Sequence, residues 1–317
     1  ARFPEPSSRR AKSSSPMAIG IRPLNDYAFK KVFGSPANKL ALLSLLNAIL
    51  KSEVPIVDVV ILNPFNLQDF EQDKLSVLDV KATDQNGVIY DIEIQIAVRP
   101  GLVQRLVFYG CEEYAGQLRA GDPYTVLKPV VVIALLKETL WTETPQLHHR
   151  FVLTDRESGR ELTDTLSIHT LELGKYNLRE TELGSATPLQ RWLYWLIHAE
   201  EYEPERLMEL FPEAAFQLAS TQLIKISEET EDKKMYDARE KAIRDQEWAV
   251  IVARDEGKTA GTIEGEIKGE IKTIRILQNL LELPVTNITD LSDRTLEELQ
   301  AITTDLQKKL QNRKPSN

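Results

Sequence analysis

Residues 75–96, LSVLDVKATDQNGVIYDIEIQI, decide the fold. In the second half Ile92, Ile94 and Ile96 alternate with Asp91, Glu93 and Gln95, the period-two pattern of a strand that buries one face and aligns three polar groups on the other. In the first half the same rule puts Asp79 and Lys81 on a common face. The turn between the two runs sets whether the polar faces coincide. A two-residue Asn86-Gly87 loop pairs Asp79 with Ile94 and mixes a carboxylate face with a core face. A three-residue loop, Gln85-Asn86-Gly87 with Gly87 left-handed, pairs 84 with 88, and so Asp79 with Glu93 and Lys81 with Asp91. The second register is the expected one.

In that register two carboxylates stand opposite each other with Cβ atoms about 5 Å apart, where like charges destabilise a sheet. At an effective dielectric near 20 their repulsion is roughly 3 kcal/mol. A proton on one acid, a neighbouring lysine, or a divalent cation between them would offset it. Carboxylate oxygens suit Mg²⁺, which keeps several waters and completes its shell with a substrate phosphate. A solvent-facing hairpin whose acids keep it soluble fits the same spacing.

Working outward, the pattern predicts helices over about 26–33 and 37–51 and strands over 54–63, 75–84, 88–97 and 129–136. A helix is expected over 102–119, and further strands near 150–155 and 166–171. Ser35-Pro36 suits the start of the second helix. The run Val130 to Leu136 is too short to span a bilayer and reads as a buried central strand. His148 and His149 have no cysteine or carboxylate at metal-ligand spacing and read as loop residues.

After Pro188 the chain turns helical, with an apolar stripe at Trp192, Trp195 and Leu196 that suits a core or a subunit contact. Glycines then recur every fourth residue at Gly257, Gly261, Gly265 and Gly269, which allows a helix that orders on self-association or a flexible hinge. The tail from Leu283 to about Leu310 reads as a short helical hairpin for oligomerisation or partner binding.

With 42% hydrophobic and 27% charged residues, the 317-residue chain has the composition of an ordinary soluble protein, long enough for one α/β core and a helical extension. Its net charge of −9 argues against a protein that coats nucleic acid by broad phosphate neutralisation. The single cysteine, Cys111, excludes an internal disulfide, and no secretory h-region is seen, so a cytoplasmic protein without a membrane span is expected. The expected organisation is a disordered segment over 1–19, an α/β domain over 20–183, a helical region over 184–256, and a glycine-periodic helix or hinge with a helical tail over 257–317.

The ordered series LNDYAFKKVFG from Leu24, LLSLLNAIL, IVDVVILNP and LDVKATDQNGVIYDIEIQ, then Arg105, Phe108-Tyr109, Gln117, Gly121, Tyr124 and Lys128-Pro129-Val130, resembles the PD-(D/E)XK nuclease family transposases, or recombination-promoting nucleases. The resemblance implies a restriction-endonuclease-like α/β core, a mixed β-sheet flanked by helices, followed by a mainly α-helical C-terminal region. It further implies a divalent-metal-dependent DNA endonuclease that uses Mg²⁺, with Mn²⁺ able to substitute, and that is associated with recombination or mobile-element and phage-related processes. By position Asp79 is the implied metal-binding aspartate, Glu93 the second acid, and Gln95 the terminal position of the signature, where the wider superfamily has lysine. A glutamine amide hydrogen-bonds water but carries no charge, so Lys81, on the Asp79 face, is a candidate for the cationic role; pairing with Asp91 is its other reading. Asp26 offers a further metal carboxylate or a helix N-cap, a role open equally to Asn25. Arg105 and Tyr109, four apart on one helix face, are candidate phosphate contacts or part of an exposed face. DNA is the implied partner, and a homo-oligomer, dimer or higher, is expected from the helical tail. A nuclease-like scaffold that binds DNA or protein without cutting, and a helical assembly protein with a passive α/β core, are the competing readings.

Overall fold

The computed structural model describes residues 17–65, 80–95 and 98–312. Its N-terminal part forms helix α1, Asp26–Phe33, then a 3₁₀ turn at Pro36–Asn38 and helix α2, Lys39–Leu50. Strands β1, Val59–Ile61, β2, Val80–Asp84, and β3, Ile89–Gln95, follow, then helix α3, Leu102–Ala115, and strand β4, Val130–Leu136. Strands β5, His148–Thr154, and β6, Glu161–Glu172, close the sheet. Among the described residues the sheet has six strands in the order β1-β2-β3-β4-β6-β5. Strands β3, β4 and β6 run parallel to their neighbours in that central trio, and the β1–β2, β2–β3 and β5–β6 pairs are antiparallel. This is the mixed sheet with flanking helices of the restriction-endonuclease-like α/β class.

Period-two alternation divides the sheet faces. Tyr90, Ile92, Val131, Ile133 and Leu135 point into the main core, whereas Val130, Val132, Ala134 and Leu136 meet Leu102 and Leu106 of α3. All seven residues of β4 are buried, as its unbroken apolar run requires of a central strand covered on both faces. The main core also takes in α1, α2 and the helices α4, Pro188–His198, α5, Pro204–Leu210, and α6, Ala214–Glu228. Trp192 and Trp195 are therefore core residues: Trp192 stacks on Phe216 with ring centroids 4.0 Å apart, and both meet Phe33. Burying two indole N–H groups requires acceptors, which Ser44 Oγ supplies at 3.1 Å to Trp192 and Ser220 Oγ at 2.9 Å to Trp195.

Three local expectations change. The strand expected over 54–63 shortens to β1 because the Asn47 side chain takes the place of a sheet partner at Ile56, donating to its carbonyl and accepting from its N–H, each at 2.8 Å. The helix expected to reach 119 stops at Ala115, and the Gln117 amide instead bonds both backbone groups of Lys128 at 3.0 and 2.8 Å. His148 and His149, expected in a loop, lie on β5: the sheet pairs them with Leu171 and Thr170, and their rings find partners in His169 and Glu172.

The chain divides into two compact units, residues 1–240 and 241–317. Helix α7, Thr230–Leu280, runs through the glycine period, so these glycines are helical. Within the second unit, α8, Ile288–Ser292, and α9, Leu296–Gln311, pack Leu291, Leu299 and Leu306 against Ile271, Ile274 and Leu277 of α7. No described helix is long and apolar enough to cross a membrane.

Candidate active site

The hairpin that presents the acids is fixed by its turn. Asp84 Oδ1 accepts from the N–H groups of Asn86 and Val88 at 2.8 and 3.0 Å, and its Oδ2 accepts from the Tyr90 hydroxyl at 3.0 Å. Asp84 N–H bonds the Val88 carbonyl, and Gly87 takes φ +82°, a left-handed backbone that glycine adopts without penalty. The loop is thus the three-residue one, and Lys81 stands opposite Asp91 with Val80 opposite Ile92.

On β3, Asp91 and Glu93 share the sheet face of Val132 and Ala134, their direct partners on β4. Both are buried, at 1% and 0% exposure, in a chain where acids are otherwise mostly exposed. Helix α3 covers the same face at close range. A Cβ on Gly110 would lie 2.7 Å from Leu166 Cδ1 and 3.1 Å from Val132 Cγ2, so glycine gives this approach without displacing either side chain.

Arg105, Tyr109 and Glu113 of α3, spaced by four, lie along one helix face, and Glu113 comes near enough to Asp91 to act on its carboxyl. Lys81 Nζ pairs with Glu113 Oε1 at 2.5 Å, and the Arg105 guanidinium lies 6.0 Å from the Tyr109 ring centre. Burial pushes the Asp91 carboxyl up to about 6; the Lys81 charge pulls it down, and the Glu113 carboxylate pushes it further up. Asp91 Oδ1 is buried and has no hydrogen-bond partner among the described residues. A desolvated carboxylate with an unsatisfied oxygen, next to a second buried carboxylate on the same strand face, suits a hard cation that takes oxygen ligands. Among the described residues no three metal-ligating groups come together. Asp79, the remaining expected ligand, lies outside the described residues.

The other expected residues fall as follows. Gln95 is the last residue of β3, its backbone paired with Leu136. Lys81 reaches Glu113 on α3 instead of simply bridging to Asp91. Asn25 is the N-cap of α1, its Oδ1 accepting from Tyr27 and Ala28 N–H at 3.0 and 3.3 Å. Asp26 ion-pairs with Arg239 of α7. Two residues escaped the sequence reading as members of the site. The alternation puts Asp91 on one strand face with Glu93 and Gln95, but by itself gives it no role beyond pairing with Lys81. Glu113 carried a usable signal, since it continues the Arg105–Tyr109 spacing by one more turn.

Comparison with protein-family models matches residues 23–253 to the one described as PD-(D/E)XK nuclease family transposase. Comparisons with curated proteins and with solved structures return no match.

Proposed function

The chain belongs to the PD-(D/E)XK nuclease family transposases, and on that premise we propose that it is a divalent-metal-dependent endonuclease that hydrolyses DNA phosphodiester bonds. The observation that supports this most is the pair of buried carboxylates, Asp91 and Glu93, on a sheet face flanked by a lysine–glutamate pair and covered by the helix that carries Arg105 and Tyr109. Burying carboxylates costs stability, and such a cost persists where a ligand or a reaction uses them.

In this reading Asp79 and Glu93 hold Mg²⁺ or Mn²⁺, with Asp91 adding an oxygen or keeping the local charge negative. A bound cation supplies Lewis-acid polarisation of the phosphate and an acidified water. The Gln95 amide orients that water by hydrogen bonding. Lys81, steered by Glu113, supplies the positive charge that the signature lysine would otherwise bring. Arg105 and Tyr109 hold the flanking phosphate. Asp26 is available as a further ligand only after exchanging its pair with Arg239. A role in recombination or mobile-element biology, a cytoplasmic location and assembly into a homo-oligomer through the second unit belong to the same proposal. A second reading, a nuclease-like scaffold that binds without cutting, is favoured by the Lys81–Glu113 pair, which already neutralises the only lysine on the hairpin.

Cleavage of supercoiled plasmid with Mg²⁺, with Mn²⁺ or with EDTA separates the two. Wild type should nick or linearise DNA only with metal, and Asp79→Asn and Glu93→Gln should each lower the rate at least a hundredfold while folding normally. Metal-independent behaviour shared by all three proteins would remove the nuclease reading and leave the scaffold.

A further inference from the structure

The opposite face of the sheet carries a second site. Between the end of α2, the segment after β6 and the start of α4 lies a cavity of about 370 Å³, contiguous with a second of about 650 Å³ through shared Lys51, Thr187 and Leu189. Its leucine walls, Leu147, Leu189 and Leu193, belong to the core on the Tyr90 and Ile92 face, the reverse of the face that holds Asp91 and Glu93.

The charge of this lining is unlike that of the chain. The protein has 48 acidic residues and a net charge of −9, yet among the described residues neither cavity is lined by an aspartate or glutamate, while Lys51, Lys175 and His148 all line the smaller one. Lys175 is committed, donating to Glu172 Oε1 and to the Gln146 carbonyl, each at 2.9 Å. Lys51 is not: it is exposed and makes no ion pair among the described residues. The His148 ring bonds His169 through Nε2 at 2.9 Å, which leaves its Nδ1 for another partner. The exposed Asn177 amide adds a donor at the rim.

Lys51 also holds an unusual backbone. It closes α2 with φ 50° and ψ 37°, the left-handed region that a β-carbon disfavours, where glycine is the ordinary residue. A lysine kept in that conformation is strained relative to glycine, and residues held so concentrate at functional sites. An ammonium without an ion pair among the described residues, at the junction of two cavities of which the larger is also lined by Leu40, Leu43 and Pro188, matches a ligand with an anionic head and an apolar body.

We propose that this cavity is a binding site for a mononucleotide, its phosphate at Lys51 and His148 and its base against the leucines of α2 and α4. The site is remote from the buried acids by its place on the other sheet face, so occupancy is independent of Glu93.

The test is titration calorimetry of the full chain with dAMP, deoxyadenosine and inorganic phosphate, on wild type, Lys51→Gly, Lys51→Arg and Glu93→Gln. Lys51→Gly removes the charge and relieves the backbone, so it should fold at least as stably as wild type, as a thermal melt will show. Expected are dAMP binding at least tenfold tighter than either fragment, a tenfold or greater loss in Lys51→Gly, retention in Lys51→Arg, and no change in Glu93→Gln. Loss in Glu93→Gln with retention in Lys51→Gly would move the nucleotide to the acidic site and overturn the proposal, as would equal binding of phosphate and dAMP or the absence of dAMP binding at 10 millimolar, roughly the weakest affinity a specific site would show.

Discussion

The His148–His169 pair gives the protein a defined weakness to acid. His169 is 3% exposed on β6, opposite Arg150 of β5 and against His148. Burial pushes its imidazole down to about 3, and the charges of His148 and Arg150 push in the same direction. Unfolded, the same ring titrates near its ordinary value of 6.5. Between those values the unfolded chain binds a proton that the folded chain does not, so stability falls as pH drops below about 6.5 and keeps falling until about 3. At pH 5 the loss relative to pH 8 is about 2 kcal/mol, from about 1.4 kcal/mol for each pH unit below the unfolded value. The measurement is equilibrium urea unfolding at pH 8 and pH 5, followed by tryptophan fluorescence, since Trp192 and Trp195 are buried in the same unit. Wild type and His169→Gln are compared by the change each suffers between the two pH values, which cancels the packing and hydrogen bond lost at both. The wild-type drop should exceed that of the variant by about 2 kcal/mol. Equal drops would mean that the folded protein protonates this ring, and the account of a neutral His169 would fail.

Three further outcomes test other parts of the molecule. Asp91→Asn, unfolded in the presence of EDTA, should be more stable than wild type at pH 8 by about 1–3 kcal/mol, because the ionised carboxylate carries a burial cost above its value near 6; that gain should vanish by pH 4, where the wild-type acid is protonated. Gly110→Ala should destabilise by about 1–3 kcal/mol, since a Cβ 2.7 Å from Leu166 Cδ1 and 3.1 Å from Val132 Cγ2 makes those side chains or α3 shift; wild-type stability would show that the packing gives way at no cost. Leu299→Ala, fully buried in the second unit, should cost about 2–5 kcal/mol there and melt the tail without moving the unfolding midpoint reported by Trp192 and Trp195; a shared shift of both would mean that the units unfold together.

The hairpin was legible in the sequence because everything that sets it is local. The period of two set which residues of β3 face the core, and of the two loop lengths that Gln85-Asn86-Gly87 allows the structure takes the three-residue one that keeps the polar faces together, so Lys81 stands opposite Asp91 as expected. The all-apolar run 130–136 pointed to a central strand for the same reason, since it is short for a helix and opens with four β-branched residues. What lay beyond the sequence was each partner reached across space. Lys81 could bridge to Asp91 or turn away, and only the close packing of α3, permitted by Gly110, placed Glu113 near enough to take it. Asp26 could cap, coordinate or pair, and the choice fell to Arg239, more than two hundred positions away in the chain. His148 and His149 looked unpartnered because their partners, His169 and Glu172, arrive on a neighbouring strand. A side chain's ionic and hydrogen-bond partners are set by desolvation and approach distance, and both are properties of the packed chain, whereas strand period and turn type are properties of a dozen consecutive residues.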